Sequence, residues 1–216
     1  GMWLDETLYL KKADTPGLLR AVRAAPSYWY PWHRLGRVYL IAASEVDASN
    51  ANGAARRAEL VDFGLRCLKN AAQYNPLNYR RQFDVAKTRY HWEGTISDSI
   101  RERFRSSVRL APGRKEVWKE WLRAERRAGG LEAAVRVAEF MEEQDPAEAG
   151  TVWRFILRAY REQGDREGAY EVVLHLTRLN PADVSLLWTK SRLEAEQGMI
   201  GAAVLSLSKA GELAPD

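Results

Sequence analysis

Pro31-Trp32-His33-Arg34-Leu35-Gly36-Arg37-Val38-Tyr39-Leu40 reads as one continuous piece of helix. Trp32, Leu35, Gly36 and Tyr39 are separated by three, four and seven residues, which puts them on one helical face. A large ring, an aliphatic side chain, a bare Cα and a tyrosine on that face let a second helix approach closely at the glycine. Six residues upstream of Trp32 stands Pro26, after Arg23-Ala24-Ala25. Proline cannot continue a helix interior and is well suited to the turn that opens the next helix.

The same punctuation recurs along the chain. Pro26, Pro76, Pro112, Pro146, Pro181 and Pro215 are 50, 36, 34, 35 and 34 residues apart, and each follows an apolar, helix-like stretch. Trp32, Gln82, Trp118 and Leu187 stand six residues after Pro26, Pro76, Pro112 and Pro181, and Trp153 stands seven after Pro146. A fixed period of this length is the mark of a helical repeat.

On the pattern Trp32-x2-Leu35-Gly36-x2-Tyr39 and the columns that follow it, the sequence resembles the tetratricopeptide repeat family. The partner helix has its own column. Ala134, Ala169 and Ala203 lie sixteen residues after the Trp column, followed by Ala138, Val173 and Leu207, then by Met141, Leu176 and Ala210. The matching sets are Ile100, Phe104 and Ser107 in the second unit, and Gly64, Leu68 and Ala71 in the first, displaced by an insertion of about sixteen residues. Gly129, Gly164 and Gly198 sit at the hairpin turns, where a helix C-terminus often needs positive φ.

The expected fold is therefore all-α: a right-handed superhelix, or α-α solenoid, of stacked antiparallel helical hairpins forming one repeat domain over residues 1–216. A partial unit spans 1–26, and hairpins span about 29–78, 79–114, 115–148, 149–183 and 184–216. First helices begin near Pro31, Asn78, Lys115, Thr151 and Val184, and second helices near Ala54, Ile96, Leu131, Arg166 and Met199. Ahead of them, Thr15 to Ala25 aligns with a lone second helix. Strand signals are missing, since nothing alternates with period two for long.

Two departures stand out. Glu45 to Arg56 inserts a polar, Ala/Asn-rich stretch. It reads either as two lengthened helices with a loop around Ser49 to Gly53 or as a dedicated binding loop. Glu125 and Glu194 replace the tyrosine in later units, and Trp118-x2-Trp121-x3-Glu125 resembles half-a-TPR (HAT) repeats, which are found in RNA-processing scaffolds.

Composition excludes several functions. The 33 Lys and Arg against 29 Asp and Glu give +4, too mild to imply nucleic acid. The one cysteine, Cys67, rules out an internal disulfide. The longest apolar run, Val38 to Ala43, is far short of a membrane span, so no membrane insertion is expected. His33, His91 and His175 have no partner at metal-ligand spacing, and no phosphate loop, nucleophile elbow or dinucleotide fingerprint occurs. The chain is expected to be no enzyme and to need no cofactor or metal. Gly1 ahead of Met2 reads as a cleavage scar with no leader pattern behind it, so a longer parent is expected. The compartment follows that parent: cytoplasmic by default, extracytoplasmic if the parent is a membrane protein.

Repeat arrays of this kind stack into an extended concave surface, and in the family resembled the first helix of each hairpin lines it. Residues one, five and eight after the Trp column share the adjoining helix face. They include His33, Phe83, Lys119, Arg154 and Trp188; then Arg37, Lys87, Arg123, Arg158 and Arg192; then Tyr90, Arg126 and Arg161. All five residues of the middle set are basic. The expected function is a protein-interaction scaffold holding an anionic partner, an acidic peptide segment first and a nucleic-acid backbone or charged glycan second. Arg37 and Lys87 stand where chaperone-binding members of the family carry asparagines, which argues against a chaperone-tail clamp. Two alternatives are a soluble regulatory or recognition domain of a larger protein, such as a bacterial membrane glycan polymerase or ligase, and an RNA-processing-type HAT scaffold. The last unit runs to Pro215-Asp216 without a polar capping helix. The apolar side of Met199 to Leu213 is therefore expected to be open to a following segment or a second copy.

Overall fold

The computed structural model describes residues 14–214. The start of the partial unit, Pro215 and Asp216 lie outside them. The described residues form helices α1 (Thr15–Ala24), α2 (Trp29–Glu45), α3 (Ala51–Tyr74), α4 (Tyr79–Glu93), α5 (Asp98–Leu110), α6 (Lys115–Gln144), α7 (Pro146–Gln163), α8 (Arg166–Leu179), α9 (Val184–Glu196) and α10 (Ile200–Leu213). They contain no strand. The fold is all-α and built from antiparallel helical hairpins.

The chain divides into two compact units between Trp121 and Leu122. In the first, each of α1 to α5 packs on its neighbour in sequence; in the second, α7 to α10 do the same.

Local chemistry sets the ends of the helices. Asp14, Asn50, Asn78, Asp145, Asp165 and Asp183 each accept a hydrogen bond from a backbone N–H of the first turn they precede. The Asp145 cap, with Pro146 in the first turn, starts α7 five residues ahead of the expected Thr151. α6 is broken at Gly129-Gly130, and the left-handed φ of +71° falls on Gly130 instead of Gly129. Its ψ of −158° lies in a region open only to glycine. A fourth left-handed turn, at Gly94, closes α4.

The Trp column packs inward within each unit. Trp118, Trp153 and Leu187 are buried and Trp32 is half-buried. Trp32 Nε1 donates to the Pro26 carbonyl at 2.7 Å. Gln82 is buried in the same column and keeps that bond, Nε2 donating to the Pro76 carbonyl at 3.1 Å. Arg103 in turn donates to Gln82 Oε1. A glutamine thus replaces the indole with its donor intact and its remaining polar atom satisfied.

The second-helix column is buried at every expected position except Leu207. α10 packs on α9 through Ala203, Ser206 and Ala210, and leaves Ile200, Val204, Leu205 and Leu207 exposed, Leu205 by 73%. At the tyrosine positions, Tyr39 packs on Phe63 with ring centroids 4.5 Å apart. Glu194 is buried, accepts from Tyr170 Oη at 3.3 Å and lies 3.4 Å from Lys190 Nζ. The polar stretch between Glu45 and Arg56 folds as the end of α2 and the start of α3. Its loop closes at 46–50, because the Asn50 side chain caps α3 on Gly53 N at 2.8 Å.

α2 and α3 cross at two glycines. A Cβ on Gly36 would sit 2.9 Å from the Gly64 carbonyl oxygen and 2.9 Å from Leu68 Cγ. Alanine at Gly36 gains roughly 1 kcal/mol of helix propensity, but the backbone oxygen can yield only if the helices separate. A net loss of about 1–2 kcal/mol is expected for Gly36→Ala in urea unfolding. Wild-type stability would contradict the close crossing.

Candidate functional site

In the first unit, several of the residues expected to face a partner are engaged with neighbouring side chains. His33 on α2 reaches Asp84 on α4, with Nε2 and Oδ2 3.1 Å apart. A carboxylate only accepts, so Nε2 carries the proton. Arg81 Nη1 lies 3.1 Å from the same oxygen, off the angle of a hydrogen bond, and its guanidinium covers the Trp29 ring at 4.9 Å. Phe83 packs toward Phe104 at 6.2 Å, with Lys87 Nζ 5.9 Å from the Phe83 ring. Arg37 and Tyr90 are half-buried. Lys119 is exposed, its Nζ 5.6 Å from the Trp118 ring.

Burial lowers the His33 pKa below its ordinary 6.5; the Asp84 hydrogen bond opposes this, and Arg81 and Arg37 reinforce it. A histidine with a depressed folded pKa adds stability that is complete above 6.5 and lost as pH falls from there through the folded value. Melting followed from pH 8 to about 5 should therefore fall more steeply for wild type than for His33→Gln. Parallel curves would show that His33 titrates as it does in the unfolded chain.

The second unit is different. Arg154, Arg158 and Arg161 on α7 line an open groove of about 630 Å³ with Thr189, Arg192 and Glu196 on α9 and the Gly164–Arg166 turn into α8. Leu157, Ala169 and Leu193 form its floor. The lining holds five guanidinium groups and the carboxylates of Glu162, Asp165 and Glu196, an excess of two positive charges. Four expected residues are thus brought together: Arg154, Arg158, Arg161 and Arg192. Arg123, exposed, and Arg126, half-buried, on α6 and Trp188, 55% exposed on α9, fall outside the lining.

These arginines are not equivalent. Arg154 Nη2 sits 2.6 Å from Asp183 Oδ2, tying α7 to the cap of α9. Burial pushes the Asp183 carboxyl up, but the Leu186 amide, the Ser185 hydroxyl and Arg154 together hold it below its ordinary range. Arg192 Nε donates to Glu196 Oε1 at 2.9 Å, and Arg166 Nε lies 3.8 Å from Glu196 Oε2. Arg158 and Arg161 are exposed and form no ion pair among the described residues.

Sequence reasoning missed Arg166. It opens a second helix, whereas the expected groove was drawn from first helices alone. The signal was available: a short hairpin turn sets the start of one helix beside the end of the preceding one, and Arg166 lines the same groove as Arg161.

Punctuating prolines, paired helices, a buried Trp column and the Gly36–Gly64 crossing together decide the architecture. The chain has a tetratricopeptide-like helical-repeat fold.

No family model matches the sequence, and no curated protein matches it. Among solved structures, MamA 41-end from Desulfovibrio magneticus RS-1 is 14% identical at a TM-score of 0.38, over 82% of this chain and 94% of its own. The human IFIT1 dimer with m7Gppp-AAAA is 15% identical at 0.49, over 96% of this chain and 44% of that one. The APC/C hetero-tetramer Cut9-Hcn1 is 13% identical at 0.36, over 94% and 44%. No helix among the described residues is long and apolar enough to cross a membrane.

Proposed function

We propose that this helical-repeat protein is a non-catalytic interaction scaffold that holds an acidic peptide segment in the groove between α7, the start of α8 and α9. The observation that carries the reading is the pair Arg158 and Arg161, exposed on one wall of an open groove and in no ion pair among the described residues. Each carries a planar fork of donors suited to a carboxylate. The apolar floor favours a segment that brings an aliphatic side chain along with its charges. Encounter with an anionic partner is fastest at low salt and slows as salt screens the field.

A fluorescein-labelled hexaglutamate peptide tests the reading by anisotropy at low salt, beside a single-stranded RNA of matched charge. Saturable binding of the peptide that weakens with salt is expected. Preference for the RNA would move the assignment to a nucleic-acid scaffold, and binding of neither would end the proposal.

A further inference from the structure

The groove already holds a carboxylate of the protein's own. Glu196 is the last residue of α9, and its two oxygens face Arg192 Nε at 2.9 Å and Arg166 Nε at 3.8 Å. The charge of Arg161 acts on it as well. Its neighbour Gln197 donates from Nε2 to the Arg166 carbonyl at 3.2 Å, which fixes the end of α9 beside the start of α8. Of the two further acids in the same groove, Asp165 caps α8 and Glu162 forms no ion pair among the described residues.

We propose that Glu196 is an internal competitor: it occupies Arg192 and Arg166 where a partner's acidic side chain docks, and partner binding displaces it. This inference rests on the groove being the binding site. Arg158 and Arg161 take the first acidic group of the partner without rearrangement. Arg192 and Arg166 become available to a second only when the Glu196 side chain swings out into solvent. A segment with a single acid engages half of the site, whereas one with two acids exchanges the Glu196 pairs for its own. The groove thereby discriminates by charge density and rejects weakly acidic segments. Displacement is feasible because ion pairs this open to solvent are individually weak. Glu196 sits at the end of α9, with both of its arginine partners largely exposed.

The test compares hexaglutamate affinity for wild type, Glu196→Gln and Glu162→Gln, each confirmed as folded by its melting curve. Both substitutions raise the net charge by one, but only the first releases arginines. Glu196→Gln should tighten binding by about three- to tenfold, the scale of one or two exposed ion pairs, and Glu162→Gln by less than about twofold. Equal gains from both would reduce the effect to net charge and overturn the proposal. An unchanged or weaker affinity for Glu196→Gln, with wild-type binding still lost on reversal of Arg158 and Arg161, would make Glu196 a clip between helices and leave the groove reading standing. Binding by none of the three proteins would overturn both.

Discussion

Trp153→Ala costs the protein about 3–5 kcal/mol of stability, the range for truncating a buried tryptophan in a core that relaxes only partly. The indole is buried in the second unit. Its ring lies 4.4 Å from the His175 ring on α8, and its Nε1 donates to Glu142 Oε2 at 3.1 Å. The same oxygen accepts from His175 Nε2 at 2.7 Å. Alanine therefore opens a cavity between α7 and α8 and removes one of two donors from a carboxylate that lies partly inside the structure. Trp153→Phe partly separates these effects, since it loses the N–H but keeps most of the side-chain volume. It should cost about 1–2 kcal/mol. Urea unfolding followed by circular dichroism reads both, and a wild-type midpoint for the alanine variant would contradict the packing described.

Reversing Arg158 and Arg161 to glutamate abolishes acidic-peptide binding while leaving the fold intact. Two attractive charges become two repulsive ones on the wall of a groove open to solvent, where each exposed interaction is worth on the order of 1 kcal/mol at most. A loss of roughly a hundredfold or more in affinity is expected. Neither arginine holds an ion pair among the described residues, so stability should move by less than about 0.5 kcal/mol. Lysine at both positions restores the charge without the planar fork and should recover only part of the affinity. Equal binding by the reversed protein would place the partner elsewhere. A large drop in melting temperature would assign both arginines to the fold.

Arg154 makes the instructive contrast. It precedes Arg158 by one helical turn on the same face of α7, and no local feature of the sequence separates the two. Arg154 nevertheless meets Asp183, 29 residues away, and links two helices. Likewise His33, expected to face a partner, is paired with Asp84, 51 residues away. Arg166, absent from the expected groove, lies in it.

What the sequence determined by itself is local. Proline punctuation, Asp and Asn caps and the three-four-seven spacing act within one or two helical turns. They suffice to place nearly every helix and to predict that Trp118, Trp153, Phe104 and Val173 are buried. Even Gln82 obeys that logic once seen, since it makes the hydrogen bond that Trp32 makes, to the proline carbonyl six residues back. The tertiary structure alone decided which charged side chains stay free. Ion-pair partners come from neighbouring helices, and their distances depend on how close those helices pack and how far each is rotated. A one-turn change in position separates an arginine neutralised at 2.6 Å from one open to a partner. The helical period, identical at Arg154 and Arg158, carries no record of that difference.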